Sequence, residues 1–269
     1  MECGVSRPAS ARGAASQGAA SQGAASQGAA SQGARPGRLS AAQTHEDSTR
    51  WVRQLLIVLL AVNSGAIDAI GFIALGGAFS SVMTGNMVLI GISAAEANGA
   101  LAITVLLSLV CFMCGCAAGA RIVGKPKPTD SIWPTEIRRV LAVELALVVA
   151  VLIVWLISGP DRSNGVKLAM LGANALALGL QSSGMQKFGV SGLSTTYLTG
   201  TLTTVVSRLV LREPVREVGH SITILLGLIV GAGTGALLAF HANSFAALLP
   251  VVMVAAATIT PLLIWKGKS

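Results

Sequence analysis

A short motif occurs twice in this chain, each time within an apolar stretch. Residues 81–86 read SVMTGN and residues 196–201 read TYLTGT. The next apolar segment after each copy contains a Gly-x-x-x-Gly pattern, which begins at Gly115 in the first half and at Gly231 in the second. Two apolar halves with matching interruptions are typical of transporters that contain an internal repeat.

The composition places the chain in a lipid bilayer. Hydrophobic residues make up 53% of the 269 residues and charged residues 11%, and the mean hydropathy is +0.72. A soluble domain would have about 25% charged residues. The net charge of +8 arises from basic residues in the N-terminal tail and between the apolar segments, where membrane proteins commonly place them. We therefore expect an all-α integral membrane protein and no binding of nucleic acid.

Eight apolar segments follow residue 50. Their bounds are 53–75, 80–95, 100–123, 140–157, 166–185, 193–209, 220–240 and 245–265. The second and sixth are short and rich in Ser, Thr and Gly. Each is close to or below the length of about 20 residues that a transmembrane helix needs.

The loop charges indicate which segments cross the membrane. Basic residues precede the first segment, follow the third and the sixth, and end the chain, and the positive-inside rule places these four regions in the cytoplasm. That assignment requires an even number of crossings between residues 50 and 121, where three segments lie. We therefore predict about six full transmembrane helices and two short broken or re-entrant helices, in repeat halves of opposite orientation (about 51–158 and 166–265). Eight full crossings are the alternative.

Residues 1–50 differ from the polytopic domain at 51–269. The sequence GAASQ runs four times in tandem from Gly13 to Gln32, and such a segment cannot bury apolar area. We expect a disordered cytoplasmic tail, with the C-terminus also in the cytoplasm.

Asp68 is the first candidate for a functional residue, because an ionisable group within a membrane segment costs at least about 2.5 kcal/mol. It could accept a proton or a cation, anchor a substrate, or serve only as a structural carboxylate. Aligning the two motifs equates Asp68 with Ser183, or with Gln181 after a slip of two positions. Glu144, near the end of its segment, is expected to reach the interface or to pair with a basic neighbour.

The candidates for binding a solute or an ion are polar or glycine residues at membrane depth. They are Asp68, Asn63, Thr84, Gly85, Asn86, Asn174, Gln181, Thr196, Thr199 and Gly200. Ser and Thr in the two short segments could cap the unpaired backbone groups of a helix that starts within the bilayer. The alternative is that they only allow close packing.

Small residues four positions apart predict close helix contacts. The positions are Gly115, Gly119, Gly227, Gly231 and Gly235. Three of the four cysteines lie in a single apolar segment without a second Cys pair or a nearby His, so we expect no metal and no cofactor. No catalytic constellation is present, and we expect no enzyme activity.

Several of these residues resemble the YoaK family of bacterial membrane proteins, which carries a domain of unknown function. The matching residues are Asp68-Ala69 before Phe72, the run 79–86 that ends in Met-Thr-Gly-Asn, and Thr195-Thr196 before Thr199-Gly200. Ser182 after Gln181 departs from the amide expected there. The resemblance implies a multi-pass protein of the bacterial inner membrane and brings no substrate.

Two functions therefore remain open from the sequence. One is a small-solute secondary transporter with a site between the repeat halves, either coupled to protons or not. Its partners would be the lipid bilayer and an unknown small solute. The other is a non-transporting membrane scaffold or sensor. The sequence predicts neither the oligomeric state nor the solute.

Overall fold

The computed structural model describes residues 36–124, 135–186, 195–212 and 215–266, and within them every regular element is helical. The α-helices of this part are α1 (Pro36–Ala74), α2 (Met83–Ala95), α3 (Gly99–Val123), α4 (Thr135–Ser158), α5 (Asn164–Gln186), α6 (Thr195–Val210), α7 (Val215–His241) and α8 (Leu248–Lys266). A short 3-10 helix, Asn243–Phe245, precedes α8. The prediction of an all-α membrane protein is confirmed.

The chain divides into two units, Met1–Ala42 and Gln43–Ser269. The predicted GAASQ disorder at 13–32 lies outside the described residues. Helix α1 begins at Pro36, however, where the sequence predicted disorder up to residue 50. Leu, Ala, Gln and Glu between positions 39 and 46 are compatible with a helix, and proline suits the first helical position.

The six long helices run alternately between two ends of the second unit. At the first end, Leu56 of α1, Ile137 of α4, Met185 of α5 and Ile224 of α7 belong to one buried cluster. At the second end, another buried cluster joins the end of α1 and of α4 to the start of α3, of α5 and of α8. Because α1 ends where α3 starts, and α5 ends where α7 starts, we describe the core as antiparallel helices of alternating direction.

Helix α2 does not continue to the first end, and like α1 it ends at the second end. The segment between Leu75 and Val82 turns back along α1 through Gly76 and Gly77, whose φ angles of 120° and 80° favour glycine. Helix α2 then starts beside the interior of α3, and its last residues connect through Asn98 to the start of α3 at the second end. Its 13 residues span about 20 Å, which is less than the hydrocarbon core.

Helix α6 is the short helix at the first end, as α2 is at the second end. It lies between the end of α5 and the start of α7, both at the first end, and it contacts α2. Its 16 residues are also too few for a full span. Six α-helices of the described part are therefore long, and two, α2 and α6, are short.

Glycines allow two pairs of helices to approach to backbone contact. A Cβ at Gly231 or Gly235 of α7 would collide with the backbone of Val62 or Ala66 in α1. On α3, a Cβ at Gly115 or Gly119 would collide in the same way with the backbone of α5 at Leu176 and Leu180. A Cβ at Gly227 would meet Val58 at an ordinary 3.5 Å, so this glycine contributes less.

These two interfaces match residue by residue. Val62 and Ala66 of α1 correspond to Leu176 and Leu180 of α5, a shift of 114 positions, while Gly115 corresponds to Gly231, a shift of 116. Further glycines follow the same rule: Gly65 abuts Leu228 and Ala232, and Gly179 abuts Phe112 and Cys116. The α1–α7 and α3–α5 contacts are therefore built alike.

Five helices of the described residues are long and apolar enough to cross a membrane. They are Trp51–Ala74, Gly99–Val123, Glu136–Ser158, Gly219–His241 and Asn243–Thr260. Helix α5 has a sufficient length of 23 residues, but it is more polar than these five. Much of it is buried by its neighbours, which gives its polar residues protein surroundings instead of lipid.

A buried arginine ties together the loops at the second end. The Arg162 guanidinium lies 3.7 Å from the centroid of the Trp155 ring and donates to Asn243 Oδ1 at 3.0 Å. The Trp155 indole N–H donates to the Asn243 carbonyl at 2.7 Å. Arg162 is therefore a structural cation that holds the α4–α5 loop against the α7–α8 connection.

Candidate functional site

Asp68 holds the segment that turns back before α2. Its Oδ1 accepts hydrogen bonds from the backbone N–H groups of Ser80 and Ser81, both at 2.7 Å, and its Oδ2 accepts from the Ser81 hydroxyl. The Ser81 hydroxyl also lies 3.0 Å from that of Ser64 on α1. Of the three roles considered for Asp68, this geometry favours the structural one, and its binding of a solute or an ion stays a prediction.

Asn86 fixes the same segment from the other side. Its side chain is fully buried, and it accepts from the Phe79 N–H at 3.0 Å and donates to the Phe79 carbonyl at 2.8 Å. Ser108 of α3 also donates to that carbonyl. The first SVMTGN motif thus ends in an amide that ties α2, the returning segment and α3 together.

The other residues of this motif have different surroundings. Thr84 is exposed, and Gly85 is close-packed, since a Cβ there would lie 3.0 Å from Val82 and 3.3 Å from Phe79. No side chain caps α2 at its N-cap residue, Val82. The prediction that Ser or Thr would cap this helix start is therefore wrong for α2, because the Asp68 carboxylate and the Asn86 amide bind the backbone just before it.

A second polar group lies between α1, α4 and α5. Asn63 donates from Nδ2 to Glu144 Oε1 at 3.2 Å and to Gln181 Oε1 at 3.3 Å, and Gln181 donates to the Leu60 carbonyl at 3.4 Å. We call Asn63, Glu144 and Gln181 the polar layer. Each of the three is at most 1% exposed. Within the described residues, Asn63 Oδ1 and Glu144 Oε2 have no hydrogen-bond partner.

Apolar side chains close the polar layer on both sides. The first apolar layer lies one helical turn from the polar layer towards the first end and consists of Leu60, Leu141 and Met185. One turn towards the second end, the second apolar layer consists of Ile67, Val148 and Leu178. The spacing of three or four residues on each helix places all three layers on the same inner faces. The polar layer is therefore sealed from both ends.

Asn174 lies apart from the polar layer, two helical turns away along α5. It lines a cavity of about 10 Å³ together with Ile67 and Trp155. That volume is about the least that holds a single water molecule. Asn174 therefore faces a small interior space near the second end, and its binding role stays a prediction.

The second motif differs from the first in the structure. Thr199 and Gly200 are exposed on α6, and a Cβ at Gly200 would meet nothing within 4 Å. The Thr196 side chain lies outside the described residues, although its backbone belongs to α6. Residues 187–194, which precede α6 in the sequence, also lie outside the described residues. The structure therefore brings Asn63 and Gln181 together, and it keeps Thr199 and Gly200 away from them.

The helix interfaces correct the predicted equivalence of Asp68. The shift of 114 between α1 and α5 equates Asp68 with Ser182, and not with Ser183 or Gln181. The alignment used the two motifs, which lie on α2 and α6. Since α1 and α5 follow a different shift from α3 and α7, a single shift cannot serve all the helices.

Glu144 was misjudged from the sequence. It was expected near the interface or beside a basic residue, but it is fully buried and bonded to Asn63. Its position within the apolar segment carried a usable signal. Leu141 and Val148, which share its helix face, are both typical core residues, so the face that contains Glu144 points inward.

A comparison with protein families identifies the chain at this point. Residues 56–260 match the model of a family described as "Protein of unknown function (DUF1275)". The chain belongs to this family. The match includes every residue of the polar layer and both Thr-Gly motifs. The family description assigns no activity.

A curated relative supports the same assignment. The chain is 30% identical over 154 residues to the UPF0700 transmembrane protein YoaK of Bacillus subtilis (strain 168). The alignment covers 57% of this chain and 66% of that protein, which is just under two thirds of its length. The predicted resemblance to the YoaK family is confirmed, and the chain is a multi-pass membrane protein. No solved structure matches it.

Proposed function

We propose that this protein is a secondary transporter of a small solute, and that its two halves are an inverted repeat. The observation that carries the proposal is the polar layer. Asn63, Glu144 and Gln181 are buried between two apolar layers in the core of a membrane protein. Polar groups within membrane segments are costly and commonly mark the path of a solute or an ion.

The matching helix interfaces support the repeat. Exchange of α1 with α5 and of α3 with α7 converts the α1–α7 contact into the α5–α3 contact, with corresponding glycines in backbone contact. The short helices α2 and α6 exchange as well, and they touch each other. Inverted repeats of this kind, with interrupted helices near the membrane centre, are common in secondary transporters.

The closed layers are compatible with alternating access. Parting the first apolar layer would open the polar layer to one side of the membrane, and parting the second would open it to the other. The backbone contacts at Gly115 and Gly231 provide two stiff helix pairs that could move relative to each other. An enclosed polar layer between two closures supports transport over the scaffold or sensor alternative, because polar groups at membrane depth commonly mark the path of a solute or an ion.

Solute-driven flux tests this proposal. The full chain is reconstituted in liposomes that enclose a pH-sensitive dye, and pools of small solutes are added outside with and without a pH gradient. We expect at least one pool either to drive proton movement or to be taken up, with uptake measured by mass spectrometry. Protein-free liposomes should show neither. Inactivity of every pool in both gradient directions would favour the scaffold or sensor alternative.

We also propose the orientation that the loop charges predict, in the bacterial inner membrane with both termini in the cytoplasm. In the structure Asn98, Asn164 and Asn243 all lie at the second end. Basic residues are more numerous at the first end. Arg53 lies within α1, and Arg121, Arg138 and Arg139 lie near the ends of α3 and α4, while Arg162 and Lys167 lie at the second end.

Single introduced cysteines test the orientation. In a background without the native cysteines, an impermeant thiol reagent should label Asn98→Cys and Asn164→Cys from outside the cell, and should leave Arg212→Cys unlabelled until the membrane is permeabilised. External labelling at position 212 would reverse the orientation. Position 127, in the basic loop after the third apolar segment, lies outside the described residues.

A further inference from the structure

We propose that Glu144 is the proton-carrying group of this protein, and that it holds its proton in the closed state described above. The inference rests on the proposed function for the use of that proton, but the protonation of Glu144 can be tested without any solute. It assigns to Glu144 the role that the sequence considered for Asp68.

The two buried carboxyl groups have opposite hydrogen-bond surroundings. Asp68 accepts from two backbone N–H groups and one hydroxyl, so all its donors stabilise a negative carboxylate. Glu144 accepts one bond, from the neutral amide of Asn63 at 3.2 Å, and its Oε2 has no partner in the described residues. An ionised carboxylate that is buried with so little compensation is strongly disfavoured against its neutral form.

A proton on Glu144 would also provide a hydrogen-bond donor for Asn63 Oδ1, the second unpartnered atom of the polar layer within the described residues. A protonated carboxyl becomes a donor. Asn63 Oδ1, on the residue already bonded to Glu144, is an acceptor that has no partner within the described residues. The same proton therefore removes the negative charge and supplies a donor that the layer lacks. The neighbouring Gln181 completes the layer with a neutral amide.

The charged and ionisable groups on the surrounding helices do not replace that proton. Helices α1, α3, α5 and α8 pack around α4. The ionisable residues among the described side chains of these four helices are Arg53, Asp68, Cys111, Cys114, Cys116, Arg121 and Lys167. Those on α4 itself, besides Glu144, are Glu136, Arg138 and Arg139. None of these side chains is a hydrogen-bond partner of Glu144 Oε2, which has no partner within the described residues. The segment of α8 at Leu248–Thr260 contains no ionisable residue.

The apolar layers determine at which end Glu144 can exchange its proton with water. With both layers closed, no water reaches Glu144 and its proton is retained. If the first apolar layer parts, Glu144 exchanges one proton with water at the first end, and if the second parts, with water at the second end. One proton bound on one side and released on the other leaves the protein unchanged.

Infrared spectroscopy of the full chain in lipid tests the protonation. A protonated carboxyl has a C=O stretch that an ionised carboxylate lacks. We expect this band at neutral pH in the wild type, its loss in Glu144→Gln, and its retention in Asp68→Asn, the matched control at the other buried carboxyl. Absence of the band in the wild type, its loss in Asp68→Asn, or its persistence in Glu144→Gln would overturn the proposal. If Glu144→Gln fails to fold, the wild type and Asp68→Asn still decide it, since both must show the band.

Flux in the same liposomes separates this inference from the proposed function. If a solute drives proton movement in the wild type, Glu144→Gln should lose it while Asp68→Asn keeps it, per amount of folded protein. Full flux in Glu144→Gln would contradict a proton-carrying role. An infrared band at Glu144 without any solute-driven flux would contradict transport and leave the protonation established.

Discussion

Asp68 and Glu144 are two carboxyl groups in the same apolar core, and the structure surrounds them differently. Asp68 is held by three donors from the turn that leads into α2, whereas Glu144 meets one amide and has one oxygen without a described partner. A buried polar group that is fully bonded fixes the structure around it, and one that is partly bonded is open to a ligand or a proton. The comparison shows that burial alone does not identify a functional carboxyl.

The two groups also stabilise contacts of different sequence separation. Asp68 is bonded to residues 12 and 13 positions later in the chain, so it shapes a local return of the backbone. Glu144 is bonded to a residue 81 positions earlier, so it connects helices that are distant in sequence. We therefore expect changes at Asp68 to affect folding first, and changes at Glu144 to affect function first.

The largest effect on stability should come from Asp68→Leu. The change leaves the two backbone N–H groups and the Ser81 hydroxyl without their acceptor, at about 1–3 kcal/mol for each buried donor. We expect a loss of about 3 kcal/mol or more in the free energy of unfolding, measured by denaturant titration in detergent. An unchanged unfolding midpoint would mean that Asp68 does not hold the returning segment.

Asn86→Ala should have the next largest effect. It removes the paired bonds to the Phe79 backbone, and about 2 kcal/mol is expected for buried groups of this kind. Thr84→Ala, two residues earlier on an exposed face, is the matched control and should stay within about 0.5 kcal/mol. Equal losses of stability in the two variants would show that the Asn86 hydrogen bonds contribute no more to the free energy of unfolding than the exposed Thr84 side chain does.

Among the three buried polar residues, Glu144 should show the smallest effect on stability when it is changed, here to Gln. A neutral amide of similar size replaces a carboxyl whose burial is poorly compensated, so we expect a change within about 1 kcal/mol in either direction. A loss as large as that of Asp68→Leu would show that Glu144 is a structural group. The comparison between the two carboxyls would then fail.

Much of the fold could be predicted from the sequence because lipid imposes simple rules. Apolar length located the long helices, and the shortness of residues 80–95 with the loop charges led to a helix that returns to the same side. The Gly-x-x-x-Gly patterns located the close contacts, since only a residue without a side chain permits backbone contact, as at Gly115 and Gly231.

The site was harder to predict because hydrogen bonds between distant residues leave no local pattern. Asn63 and Gln181 were chosen for their polarity at depth, but nothing in the sequence joined them to Glu144. Asp68 stood out as a lone carboxylate, while its three donors come from a turn whose geometry depends on Gly76 and Gly77. The equivalent of Asp68 was misjudged because the matching contacts relate α1 to α5 by 114 positions and α3 to α7 by 116.

The most direct test is a paired measurement on Asp68→Asn and Glu144→Gln, which make the same chemical change at the two carboxyls. For each variant, the free energy of unfolding and the solute-driven proton flux per folded protein are measured together. We predict that Asp68→Asn loses stability and keeps flux, whereas Glu144→Gln keeps stability and loses flux. The opposite pattern, with flux lost at Asp68 and retained at Glu144, would contradict the division of roles between these two groups.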